Sequence, residues 1–173
     1  LAVGQLSSRG RELILEARLF DVSTGNMIFD KRYVGDPKFS RLIIHRFADD
    51  IMFNLTGEKG VAQSRIAYVS TLSRTVKEIF VMDYDGGRSI GFTHNNSTNL
   101  FPSWAPDNSK LAFVSLRTGS WEINVHSNID GSRIAFPIFG SFASTPAISP
   151  DGQQIVFSLR TPRGDTDLFV SQL

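Results

Sequence analysis

The chain has 173 residues, 41% of them apolar and 20% charged, with no cysteine, and that composition excludes a disordered tail, a collagen-like fibre and a disulfide-stapled miniprotein. With 18 Lys and Arg against 17 Asp and Glu there is no basic surplus for nucleic-acid phosphates, and no stretch reaches the roughly 18 apolar residues of a membrane-spanning helix. The balance holds locally, since residues 1–62 carry 9 basic and 8 acidic side chains and residues 63–173 carry 9 of each.

A chain of this length suggests one domain or two, and its first residue, Leu1, is preceded by no Met or signal-like segment, so we expect part of a longer product. Leu13, Leu15, Ala17 and Leu19 alternate with Ile14, Glu16, Arg18 and Phe20, a period of two that predicts a strand. Ser23-Thr24-Gly25-Asn26 supplies turn chemistry and Met27 to Val34 is again extended, so a β-hairpin is expected. Asp36-Pro37 begins a helix, because Asp accepts orphan backbone N–H groups and Pro at the first helical position loses none. Ile44, Phe47, Ala48, Ile51 and Leu55 give that helix an apolar stripe, and Gly57 is placed to end it. Two strands and a helix bury little, so residues 1–62 read as the C-terminal part of an α+β domain whose other elements precede Leu1.

From residue 63 onward the sequence repeats. Ile66-Ala67-Tyr68-Val69-Ser70 returns as Leu111-Ala112-Phe113-Val114-Ser115 and as Ile155-Val156-Phe157-Ser158, spaced by 45 and then 44 positions. Glu78-Ile79-Phe80-Val81 returns as Glu122-Ile123-Asn124-Val125 and as Asp167-Leu168-Phe169-Val170; Asp85-Gly86 matches Asp130-Gly131. Pro102-Ser103-Trp104-Ala105-Pro106-Asp107 matches Pro146-Ala147-Ile148-Ser149-Pro150-Asp151. A period of about 40–45 residues with two-residue periodicity inside it is that of four-stranded propeller blades. The Pro-Asp segments at 106–109 and 150–153 are tight turns, the Asp-Gly pairs are hairpins leading to outer strands, and Trp104 with the phenylalanines is expected to fill the wedge between sheets. Asn124-Val125-His126-Ser127 is more polar than a strand of this kind normally is.

These segments carry a family resemblance. Pro102 to Ser115 and Pro146 to Ser158 resemble the P-x-W-S-P-D-G-x-x-[LI]-[AV]-F repeat of TolB-type propellers, which is WD40-like in plan. The narrower signal is the junction: a hairpin and a helix with Ala48-Asp49-Asp50-Ile51, then Leu55-Thr56-Gly57-Glu58-Lys59-Gly60, then Arg65-Ile66-Ala67-Tyr68-Val69 opening the first blade. Asp83-Tyr84-Asp85-Gly86 fits the first-blade turn as well. The resemblance implies a mixed fold, the end of an α+β domain over residues 1–62 followed by an all-β propeller over 63–173. About two and a half blades of a six-bladed ring would be present.

The residues themselves offer little catalytic chemistry. Gly87-Arg88-Ser89-Ile90-Gly91 matches the G-x-S-x-G nucleophile elbow, but Ser89 follows a hairpin turn and no helical pattern comes after it. Asp83-x-Asp85 lacks the Glu that closes a calcium loop, and His45, His94 and His126 stand apart from any second ligand in sequence. We therefore expect no enzyme activity, no metal and no cofactor.

In a propeller the loops entering the innermost strands gather at one mouth of the channel and form a composite docking face. Here these are Thr98 to Phe101 and Phe142 to Thr145, with large apolar residues where polar ones are usual. TolB proteins hold the peptidoglycan-associated lipoprotein Pal with these loops. The resemblance implies that Leu100, Phe101, Phe142, Ala143, Ser144 and Thr145 would bind that partner. It further implies a periplasmic, non-enzymatic Tol-Pal component that supports outer-membrane integrity and cell division. Contact with inner-membrane Tol proteins would run through a segment before Leu1, with neither membrane insertion nor nucleic acid involved. The alternative is the propeller of a prolyl-oligopeptidase-type serine peptidase, which shares similar repeats but does not account for the junction.

Overall fold

The computed structural model describes residues 1–137 and 142–173, and its strands and single helix fall into two compact units, Leu1–Arg65 with Asp83–Gly87 and Ile66–Met82 with Arg88–Leu173.

The first unit is a three-stranded antiparallel sheet with one helix. Its strands β1 (Ala2–Arg9), β2 (Glu12–Phe20) and β3 (Met27–Gly35) lie in the order β1-β2-β3. The alternation of β2 does what its period requires: Leu15, Ala17 and Leu19 are buried while Glu16 and Arg18 point to solvent. The β2–β3 turn is tied by Asp21, whose Oδ1 accepts from the Ser23 N–H at 2.7 Å and the Ser23 hydroxyl at 2.6 Å. Strand β1 was not legible in the sequence. All eight of its residues are exposed, so it lacks the half-buried alternation by which a strand is recognised, and it is held by its ladder to β2, with Leu6 opposite Leu15.

Asp36 caps as expected, but it caps a single 3-10 turn, Pro37–Phe39, through its Oδ1 and the Lys38 N–H at 2.9 Å. Helix α1 (Ser40–Thr56) follows and ends at Gly57, whose left-handed φ of 75° glycine adopts at little cost while its N–H bonds the Phe53 carbonyl at 2.9 Å. The packed face of α1 differs from the apolar stripe read in the sequence. Ile43 is buried, whereas Ile44 and Leu55 are 48% and 59% exposed. The face runs through Ile43, Phe47 and Asp50, with Phe47 edge-on to Phe29 at 6.2 Å. A carboxylate can sit there because Tyr33 Oη donates to Asp50 at 2.5 Å and Lys31 pairs with it at 2.8 Å. Burial works to raise the Asp50 pKa, yet the Lys31 and Tyr33 bonds outweigh it and hold the group below the usual carboxylate range.

The second unit is built of three antiparallel sheets. The first sheet orders β4 (Arg65–Thr71), β5 (Lys77–Asp83) and β6 (Ile90–Gly91). The second contains β7 (Asn99–Trp104), β8 (Lys110–Ser115), β9 (Glu122–Ser127) and β10 (Arg133–Ile134) in the order β10-β9-β8-β7. The third orders β11 (Ala143–Ile148), β12 (Gln154–Arg160) and β13 (Thr166–Gln172). Strands β4, β8 and β12 carry the repeated apolar run, and the Asp-Gly turns lead to the short outer strands β6 and β10. The fold is therefore an α+β unit joined in sequence to a partial, unclosed propeller.

Two clusters hold the sheets together. Between the first and second, Ile79, Leu111 and Phe113 pack with Trp104 and Phe92; between the second and third, Val114, Ile123, Val125, Phe136, Ile155 and Phe157 form a larger core. The Pro-Asp turns close as their chemistry dictates: Asp107 Oδ1 accepts from the Ser109 N–H at 2.9 Å, and Asp151 Oδ1 from the Gln153 N–H at 3.0 Å.

Candidate functional site

The two loops singled out in the sequence lie at equivalent places in successive blades. Strand β7 pairs with β8 as Leu100 with Val114, then resumes as Ser103 with Ala112; β11 pairs with β12 as Ser144 with Ser158, then resumes as Ala147 with Val156. The interruption in each is a bulge containing Pro102 or Pro146, a residue with no N–H for the ladder. The residue just before each proline, Phe101 or Thr145, has a left-handed φ of 53° or 48°, and Phe142 has 76°. A bulky or β-branched residue in that region is strained by about 1–3 kcal/mol, a state typical of ligand clamps.

The six side chains are not equivalent. Phe101 and Phe142 are 46% and 53% exposed, and Thr145 is also exposed. Leu100 and Ser144 are half-buried, and Ala143 is buried in the core between the second and third sheets. Ser144 and Thr145 both reach the Ser158 hydroxyl, at 2.7 and 3.2 Å, which fixes the bulge of β11 from beneath.

The first of these loops is anchored by a buried polar cluster that the sequence did not reveal as one. Glu78, 3% exposed, accepts from the Asn96 N–H at 2.7 Å, from Asn99 Nδ2 at 2.9 Å and from the Thr93 hydroxyl. Asn99 Nδ2 also reaches the Lys77 carbonyl at 3.0 Å, and Thr98 Oγ1 donates to the Thr75 carbonyl at 2.7 Å. A carboxylate out of water needs such donors, and here they fix the chain immediately before Leu100 and Phe101. The signal was present in the recurrence of Glu78, Glu122 and Asp167, but the repeat does not show that the first of them is buried.

Other candidates resolve differently. Ser89 lies before the two-residue strand β6, its hydroxyl 2.7 Å from Tyr68 Oη, and the next element is strand β7 rather than a helix, so the geometry of a nucleophile elbow is not formed. His45 is not isolated in space. Its Nε2 lies 3.1 Å from Asp85 Oδ2, and Arg41 pairs with the same carboxylate, all within the first unit. The Gly87 N–H, then His45 and Arg41, hold the Asp85 pKa below the usual range.

Comparison with known proteins agrees with this geometry. The TolB beta propeller domain family matches residues 53–173. The Tol-Pal system protein TolB of Desulfosudis oleivorans is 32% identical over 169 residues, 92% of this chain and 38% of that protein. The protein of the same name from Geobacter metallireducens is 44% identical over 102 residues, 59% of this chain and 24% of its own. The crystal structure of TolB from Acinetobacter baumannii superposes with a TM-score of 0.89 at 24% identity, over 99% of this chain and 43% of that one, a likeness of fold. The chain thus spans less than two fifths of the length of these curated relatives. A period of 44 to 45, the proline bulges and the helix-to-blade junction at residues 55–69 meet in one sequence, and with the match over residues 53–173 they place the chain in the TolB family.

Proposed function

We propose that this chain is part of a non-enzymatic periplasmic component of the Tol-Pal system that binds the lipoprotein Pal through the bulged loops entering β7 and β11. Residues 1–62 then form the end of an α+β domain and residues 63–173 the first blades of the propeller. Inner-membrane Tol partners are contacted elsewhere in the whole protein, and the complex supports outer-membrane integrity and division. The names of the curated relatives support the system, and among the described residues no helix is long and apolar enough to cross a membrane.

The observation that carries the site is the repeated left-handed residue before proline. In each of two blades the strain turns the chain at the same step, and Phe101 and Phe142 stand partly in solvent, where a large apolar ring gains most by being covered. The test is capture of the soluble domain of Pal by protein expressed from the complete reading frame. Phe101→Ala and Phe142→Ala should each weaken binding by about 2 kcal/mol, the scale of an apolar anchor, while Leu100→Ala should do less. Wild-type affinity in both phenylalanine variants would remove the site and leave the family intact; no capture of Pal by the wild type would remove the partner.

A further inference from the structure

One departure from the repeat is left without a role by that reading. At the position where β5 and β13 carry Phe80 and Phe169, β9 carries Asn124; two residues on, where they carry Met82 and Ser171, it carries His126. Asn124 is only 7% exposed, so an amide has replaced an aromatic ring at a nearly buried place. Its Nδ2 donates to the Glu122 carbonyl at 3.2 Å, and His126 Nδ1 lies 3.1 Å from the Gly131 carbonyl.

On that side of β9 lies a cleft of about 330 Å³ between the first and second sheets, at the lower end of the sizes that take small ligands. Asn124 and His126 line it, Phe92 and Phe113 provide an aromatic wall with rings edge-on at 6.3 Å, and Arg117 and Arg133 provide its charge. Among the described residues no carboxylate lines the cleft, and neither arginine is ion-paired. Carboxylates beside the lining residues already have partners: Glu78 has Thr93, Asn96 and Asn99, Asp130 has the Ser132 N–H at 3.1 Å and hydroxyl at 2.8 Å, and Glu122 has the Thr118 hydroxyl at 2.8 Å. Burial lowers the His126 pKa, and Arg133 and Arg117 lower it further, so the field of both guanidiniums reaches the cleft floor.

We propose that this cleft binds a small organic anion, a carboxylate or phosphate on a compact apolar body, with Arg117 and Arg133 on the anionic head and Phe92 and Phe113 against the body. Guanidinium forks match carboxylate and phosphate oxygens, Asn124 adds a polar contact at the floor, and the aromatic wall gives no reason to prefer a bare inorganic ion. None of the bulged-loop residues Leu100, Phe101 and Phe142 to Thr145 lines the cleft, and the proposal does not rest on their role.

The experiment titrates benzoate, phenyl phosphate, inorganic phosphate and benzylamine into protein expressed from the complete reading frame, following the ring resonances of His126 by NMR. Benzoate or phenyl phosphate should saturate, inorganic phosphate should bind more weakly, and benzylamine should leave the signals unmoved. Arg117→Ala with Arg133→Ala should weaken the aromatic anion roughly tenfold or more, the value of charge-assisted bonds to an anion. Asn124→Phe restores the residue type of the neighbouring blades, so it should fold and yet fail to bind. Which head group binds tighter separates a carboxylate from a phosphate ligand. No saturation by either aromatic anion, equal binding of benzylamine, or undiminished affinity in the double arginine variant would overturn the proposal.

Discussion

Between the second and third sheets of the propeller unit Phe136 meets Phe157 edge-on at 6.0 Å, and Phe157 stacks on Phe169 at 6.1 Å. Between the first and second sheets Phe92 meets Phe113 edge-on at 6.3 Å, but the place of Phe169 is held by Asn124 and the third ring near Phe113 is that of His126, at 5.1 Å. The edge-on pair is thus the constant part of the wedge, and the residue facing it from the third strand is free to vary. Where that residue is aromatic it stacks on the core ring; where it is an amide the seam holds a charged cleft.

The largest break in this comparison should come from the seam between the second and third sheets. Phe157 is 1% exposed and surrounded by the larger core, so Phe157→Ala should cost about 3–5 kcal/mol in a urea melt, the transfer of a buried ring plus the cavity it leaves. Phe92 is half-buried and already faces open space, and Phe92→Ala should cost roughly 1–2 kcal/mol. Equal losses would mean that the two seams are packed alike.

A smaller effect separates the acidic residues that the repeat makes equivalent. Glu78 accepts from three buried or half-buried donors, and Glu78→Ala takes that acceptor from the Thr93 hydroxyl and the Asn96 N–H, while Asn99 Nδ2 keeps the Lys77 carbonyl, at about 1–3 kcal/mol. Glu122 accepts one hydroxyl, so Glu122→Ala should change the unfolding free energy by less than about 1 kcal/mol. Glu78→Gln, which keeps one oxygen acceptor, should fall between these limits.

That contrast marks where the sequence is legible. Turns and strands of the blades could be read because Pro-Asp and Asp-Gly act through their own backbone, and the apolar runs recur whatever surrounds them. The α1 stripe was misplaced by one step because Asp50, a charged residue, lies on the packed face and is satisfied there by Tyr33 and Lys31, two residues of another element. The left-handed geometry of Phe101 and Thr145 had no signal, since neither is a residue type that favours positive φ. The cleft was half legible: polarity at Asn124 and His126 was visible, but its union with Phe92, Arg117 and Arg133 depends on two sheets meeting.

The smallest predicted effect, acid sensitivity of the open seam, follows from two groups on one turn. Asp130 is held at a pKa of about 2 by the Ser127 and Ser132 hydroxyls and the Ser132 N–H, below its ordinary 3.8. A carboxylate with a depressed folded pKa contributes stability that is present above the unfolded value and is lost as pH falls from near 3.8 toward 2. His126, bonded to the Gly131 carbonyl in the same turn, has its pKa lowered from 6.5 mainly by burial. For this group too the unfolded chain binds its proton first, so stability begins to fall as pH drops below 6.5. Acid unfolding of the open seam should therefore proceed over two windows, and His126→Ser, which installs the residue of the third sheet, should erase the upper one while leaving the lower. A single window in the wild type, or an upper window that survives in His126→Ser, would show that His126 does not set the upper window.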